Sequence, residues 1–207
     1  MVHPSAVSDS ETLSEEDMLR AQMYRFLARL LSAPPDSATL KAVSRLKGDD
    51  TDLGKALSTS ALLAGKTSAA EAETEYNALF IGLGRGELVP YGSYYLAGFL
   101  NEKPLAKLRQ HMKQLDMARA DDVSEPEDHI ASLCEMMAGM IDGVFGGESN
   151  LHGQQAFFDA HLASWAPQFF RDLEGAQLSK LYAPIGTIGR VFMTIESTAF
   201  KMVADES

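Results

Sequence analysis

Ile130, Leu133, Cys134, Met137, Ile141, Val144 and Phe145 recur at the spacing of one α-helical face, the most regular periodicity in the chain. The segment ahead of them, Glu125-Pro126-Glu127-Asp128-His129, reads as the first turn of that helix. Pro126 suits the first helical position, where its missing N–H would be unpaired anyway. Glu125, Glu127 and Asp128 place negative charge at the positive end of the helix dipole. Gly146-Gly147 is expected to end the helix. His129 flanks the apolar stripe and directly follows an acid, so it reads either as a titratable binding group or as a satisfied histidine at the edge of a core.

The rest of the chain repeats this pattern. Residues 1–13 are expected to be flexible, with a helical domain over 14–204. Ser14 to Asp17 forms a capping-box signal ahead of a helix reaching about Leu31, with Met18, Ala21, Leu27, Leu30 and Leu31 as core candidates and Pro34-Pro35 as its stop. Helices are predicted over 37–47, ending at Gly48, and over 52–64. A second capping box, Ser68 to Glu71, opens a helix that carries Tyr76, Leu79 and Phe80. Gly82, Gly84 and Gly86 form a loop ending at Pro90, and a short helical piece follows from Ser93. Pro104 starts a helix with Leu105, Leu108, Met112 and Leu115 as its stripe. A polar loop spans roughly 118–125. After the central helix, Ser149 opens another, Trp165 and Pro167 mark a break, and a last helix spans about 178–203, with Leu181, Ile185, Ile188, Val191, Phe192, Ile195, Phe200 and Val203 as its apolar set. Period-2 alternation and hairpin signals are lacking. The expected fold is all-α, a single-domain bundle of about eight to ten helices, consistent with 207 residues.

Composition narrows the chemistry. Lys and Arg number 18 against 29 Asp and Glu, a net charge of −11, which argues against nucleic acid and anionic lipid and is compatible with a cationic partner. The single cysteine, Cys134, permits no intramolecular disulfide and suits a reducing cytoplasm. Residues 1–12 lack the basic-then-apolar order of a secretory signal, and no run is long enough to span a bilayer. The five histidines show no metal-ligating repeat, so neither a metal nor another cofactor is expected. Gly82-Leu83-Gly84-Arg85-Gly86 follows a helix and has no Gly-Lys-Ser/Thr, unlike a phosphate-binding loop. Asp128 and His129 are helical neighbours in this reading and point about 100° apart, a poor acid–base pair. What remains is an aromatic cluster, Tyr76, Phe80, Tyr91, Tyr94 and Tyr95, with Glu71, Glu73, Glu75 and Glu87 near it. It reads either as helix-packing core or as a groove for an amphipathic peptide carrying arginines.

Three segments then line up in order: Glu75-Tyr76-Asn77-Ala78-Leu79-Phe80, Pro90-Tyr91-Gly92-Ser93-Tyr94-Tyr95 and Glu125-Pro126-Glu127-Asp128-His129-Ile130. Together they resemble the TorD/DmsD/NarJ family of cytoplasmic chaperones, over about residues 12–203. The resemblance implies an all-helical, non-enzymatic protein that binds the twin-arginine signal peptide of a molybdenum-cofactor oxidoreductase, assists its folding and cofactor insertion, and holds it back from export. It implies contact with the catalytic subunit of an enzyme of the formate dehydrogenase or dimethyl sulfoxide/trimethylamine N-oxide reductase type. It assigns Asp128 and His129 to the signal-binding site, with Glu125 and Pro126 shaping it, and Tyr76, Phe80, Pro90, Tyr91, Ser93 and Tyr95 lining a groove. Tyr24 joins them by position on the first helix. Gly92 stands where many relatives carry an acid, which removes one partner for a client arginine. Two other readings remain: a general adaptor for amphipathic helices, and an enzyme using His129 with a carboxylate. The chain is expected as a monomer, or as a dimer that swaps elements across a hinge such as 81–92.

Overall fold

The computed structural model describes residues 13–82, 85–118, 125–145 and 149–205. Among them lie ten α-helices: α1 (Glu15–Ser32), α2 (Ser37–Val43), α3 (Asp52–Ala64), α4 (Ala69–Tyr76), α5 (Gly92–Ala97), α6 (Lys103–Gln114), α7 (Ile130–Ile141), α8 (Leu151–His161), α9 (Ala166–Gly175) and α10 (Ala183–Asp205). A π-helical turn, Asn77–Ile81, continues α4. The described residues form no strand, only an isolated antiparallel bridge between Tyr91 and His129. The all-α expectation is met.

One contiguous core joins these helices. α1 packs along α7, and α10 packs on α9 and α3, while α5 sits on α6 and α8 braces both α6 and α7. Side-chain caps fix several starts. Thr51 accepts from the Gly54 amide, and Ser68 and Glu71 complete a reciprocal capping box. At α1 the box is half made: Ser14 Oγ accepts from the Asp17 amide at 3.0 Å, and its hydroxyl donates to Asp17 Oδ2 at 2.8 Å. The amphipathic stripes match their prediction in α6, where Leu105, Leu108 and Met112 are buried with Leu115 at the cap.

Several boundaries differ from the sequence reading. The central helix starts at Ile130, not at Pro126, and residues 125–129 form a turn ahead of it. It ends at Ile141, with Gly143 in the left-handed region (φ 67°). Val144 therefore leaves the stripe and is 70% exposed. Phe145 folds back, because Gly139 offers a surface that a Cβ would fill. Met18 and Ile195 face solvent rather than core, since the burial stripe of each helix is narrower than its apolar set. α2 stops at Val43, and the last helix begins at Ala183, five residues after its predicted start. Asn150, not Ser149, caps α8. Expectations about residues 1–12, Gly84, 119–124 and Gly146-Gly147, and about the Val203 side chain, lie outside the described residues.

Two carboxylates hold the amides of the turn before α10. Glu87 accepts from the amides of Gln177 and Leu178, and Glu75 from those of Lys180 and Tyr182, at 2.7–3.1 Å. No described helix is long and apolar enough to cross a membrane.

Candidate functional site

The site begins with the π-turn. An α-helix presents residues 76 and 80 on one face; an i→i+5 turn adds the next residue to that face. Tyr76, Phe80 and Ile81 consequently line one cavity, while Leu79 is fully buried behind them. Gly82 ends the turn at φ 62°, its amide donating to Asn77 O at 2.7 Å. The chain then doubles back, and the amides of Glu87 and Leu88 donate to Ala78 and Leu79 carbonyls at 3.2 and 2.8 Å. Gly86 permits this, since a Cβ there would meet Leu79 O at 2.5 Å. The second motif is thereby laid beside the first.

The third motif locks onto the second through the bridge. Gly92 N donates to Asp128 O and Ile130 N donates to Pro90 O, both at 2.9 Å. Asp128 and His129 then start two different helices. Asp128 Oδ2 accepts from the Ser93 amide at 2.6 Å, capping α5 from 35 residues away. The residue before α5, Tyr91, supplies no side-chain cap of its own. His129 Nδ1 accepts from the Ala131 amide at 3.1 Å and caps α7. Glu127 anchors the same turn to α6 through Arg109, at 2.8–3.2 Å. The acids read as first-turn residues of one helix thus clamp α5 and α6, while the histidine beside them caps α7.

These contacts enclose a cavity of about 220 Å³ lined by Tyr76, Phe80, Ile81, Pro90, Tyr91, Glu125, His129, Ala131 and Glu135, with Ser32 and Ser132 at its edge. Its floor is apolar and aromatic. The Tyr91 and His129 rings meet edge-to-face at 4.9 Å, and Tyr76 and Phe80 do so at the same separation. Tyr91 OH donates to Glu125 Oε2, and Tyr76 OH to Leu31 O at 3.2 Å. Glu125 and Glu135 stand exposed at the mouth.

Electrostatics follow from this enclosure. Burial pushes the His129 imidazole down to about 4, against the pull of Glu125 and Asp128. It is neutral at pH 7. With Nδ1 accepting a hydrogen bond, the proton sits on Nε2. Burial and then Glu125 raise the Tyr76 phenol to about 12, and burial together with the Glu125 bond raises Tyr91 further. Burial also raises the Glu135 carboxyl. The described residues hold no group of three metal-ligating side chains.

Of the residues expected at a peptide site, Tyr76, Phe80, Pro90, Tyr91, Glu125 and His129 share this cavity. Pro126 and Asp128 build its wall from behind. Ser93 is fully buried beneath Asp128, and its hydroxyl finds no partner. Tyr95 turns to α9, donating to Asp172 at 2.9 Å and lying 5.4 Å from the Trp165 ring. Tyr24 is fully buried in the α1–α10 contact, donating to Glu196 at 3.0 Å. Glu71, Glu75 and Glu87, read from the sequence as acids near the aromatic cluster, accept backbone amides. Gly92 is buried against Trp165, whose indole nitrogen a Cβ would meet at 3.2 Å, so an aromatic side chain from the start of α9 fills the space beside it. Sequence reasoning missed Glu135, Ile81 and Ser132. The helical register could have flagged Glu135, one turn past Ala131 on the flank of α7. Two broader depressions, about 610 and 600 Å³, border α3 and contain no residue of the second or third motif.

The chain is similar to several known proteins. Chaperone protein TorD from Aliivibrio fischeri is 28% identical over 109 residues, 48% of this chain and 50% of the relative. Chaperone protein TorD from Vibrio atlanticus is 24% identical over 137 residues, 61% and 63% of the two chains. The match thus spans half to three-fifths of these relatives' length. A redox enzyme maturation protein from Archaeoglobus fulgidus shares the fold, with a TM-score of 0.57 at 21% identity over 89% of this chain and 99% of that one. The family model described as nitrate reductase delta subunit matches residues 46–171, well over half of the sequence and all three motifs. The chain belongs to that family, the family of TorD and NarJ.

Proposed function

We propose that this protein is a system-specific maturation chaperone. It binds the twin-arginine signal peptide of a molybdenum-cofactor oxidoreductase in the cytoplasm, and assists folding and cofactor insertion before export. The observation that carries this reading is the cavity: three motifs spread over residues 75–130 converge on a space with an aromatic floor and an acidic mouth. A signal peptide offers the complement, arginines followed by an apolar segment. Apolar burial then supplies affinity, and charge supplies orientation. Family membership supports the same assignment.

The role is binding rather than turnover. A general base needs a free lone pair within reach of its substrate. His129 spends its Nδ1 lone pair on Ala131 and carries the proton on Nε2. Asp128 is 3% exposed behind the α5 amide and does not line the cavity, out of reach of a bound substrate. His129 instead acts as a neutral donor, suited to a peptide carbonyl. The test is calorimetric titration with a twin-arginine signal peptide from a molybdoenzyme encoded beside this gene, with a twin-lysine control. Micromolar or tighter binding, weakened by the lysines, supports the proposal. Equal binding of both peptides points to a general adaptor and overturns it.

A further inference from the structure

The two carboxylates at the mouth of the cavity differ in what they already hold. Glu125 accepts the Tyr91 hydroxyl. Glu135, on α7, has no hydrogen-bond or ion-pair partner among the described residues, although it borders the same space. Asp128, the acid of the third motif, is 3% exposed, does not line the cavity, and uses Oδ2 on the Ser93 amide. His129 adds an independent sign of a ligand. It is 8% exposed, lines the cavity, and offers an Nε2–H for which the described residues provide no acceptor. That N–H opens into the cavity, where an incoming acceptor can reach it.

From these placements we infer that Glu135 is the residue that reads arginine, that it takes one arginine side chain rather than both, and that Asp128 is a positioning residue with no contact to the peptide. This rests on the signal-peptide reading of the site and names its specificity. The stem of an arginine is apolar and suits a floor of Tyr76, Phe80 and Tyr91, while its planar head stacks on aromatic faces and forks onto a carboxylate. Lysine has neither the plane nor the fork. The volume sets the count. Small-molecule pockets run to roughly 300–1,000 Å³, so a space of about 220 Å³ is small and favours one side chain over two. The peptide carbonyl beside that arginine becomes the acceptor for His129 Nε2–H. Partial desolvation at the cavity rim raises the Glu135 carboxyl, and a guanidinium at the mouth reverses that shift.

The experiment is calorimetric titration of the full chain, its Glu135→Gln and its Asp128→Asn variants with four signal peptides: Arg-Arg, Lys-Lys, and the two singly substituted forms. Thermal melting accompanies each variant. The wild type is expected to prefer Arg-Arg over Lys-Lys by about tenfold, the ratio for one well-made charged contact. One single substitution should reproduce nearly the whole loss and the other should cost little. Glu135→Gln should melt like the wild type and bring the ratio to about one, with weaker Arg-Arg binding and unchanged Lys-Lys binding. Asp128→Asn should lower the melting temperature and weaken all four peptides alike, leaving the ratio intact. A wild-type ratio retained in Glu135→Gln overturns this inference while the signal-peptide reading stands. So does loss of the ratio in Asp128→Asn without a change in melting, or equal losses from both single substitutions. A wild type that binds none of the peptides overturns both readings together.

Discussion

Two acid-bearing regions of this molecule use the same chemistry to opposite ends. In the first, Glu196 of α10 is 1% exposed and every contact it needs is internal. Arg20 of α1 binds it twice, at 2.8 and 3.0 Å, and Tyr24 OH donates to it at 3.0 Å. Asp17 takes another arm of Arg20, and Phe200 lies 5.3 Å below the guanidinium. In the second, at the α7 start, Asp128 and His129 are committed inward, but Glu135 and His129 Nε2–H face a cavity with nothing to hold. A carboxylate with its guanidinium supplied from within joins helices. A carboxylate left without one, above an aromatic floor, awaits a guanidinium from elsewhere.

That contrast is open to attack in order of effect. Glu196→Ala strands a largely buried arginine and the Tyr24 hydroxyl, so urea denaturation should show a loss of about 3–5 kcal/mol, with the arginine preference of the surviving folded protein unchanged. A shift in that preference would break the separation of the two regions. Leu133→Ala, on the buried stripe of α7, should cost a comparable 2–5 kcal/mol.

Acid is next. Burial holds His129 and His161 at about 4, and for His161 the neighbouring His111 and Lys107 add to the effect. An unfolded histidine titrates near 6.5. Between these values the unfolded chain binds more protons than the folded one, so stability is full above about pH 6.5 and falls as pH drops toward 4, by up to roughly 3 kcal/mol per group. Urea midpoints measured from pH 7.5 to 4 should show this slope. His161→Gln should flatten about half of it and leave peptide binding intact, whereas a slope unchanged in that variant would contradict the assignment.

Asp128→Ala removes one cap of α5 and should cost roughly 1–2 kcal/mol in thermal or urea unfolding. Loss as large as that of Leu133→Ala would show the turn to be core rather than site frame. The smallest effect is on Glu135. Glu135→Gln removes a surface carboxylate with no internal partner, so stability should stay within about 0.5 kcal/mol of the wild type.

The fold was largely legible because helices declare themselves locally. Ser68 caps α4 where the sequence reading put its capping box, and the spacing of Leu105, Leu108 and Met112 gave the buried face of α6 directly. The α7 start was misread for a physical reason. A proline with acids around it looks the same whether the acids serve their own helix dipole or cap another helix across the fold. Only the pairing of Tyr91 with His129, 38 positions apart, decides between these, and no local pattern encodes it. Within the site, the three motifs identified the wall residues. They did not separate Tyr91, which borders the cavity, from Tyr95, which packs on Trp165, because both lie in one short motif and their facing is set by the six-residue helix that Asp128 caps. Tyr24 was placed by its position on α1, yet its hydroxyl belongs to Glu196. Glu135 was passed over because a lone acid on a helix flank is ordinary until its neighbours are known.

Hydrogen exchange of the full chain, with and without a twin-arginine signal peptide, tests the location most directly. Peptide should slow exchange at the amides of 77–82, 91–93 and 130–135, and leave the Arg20–Glu196 contact between α1 and α10 unchanged. Protection confined to the faces of α3 and α10, with none at the α7 start, would contradict the account.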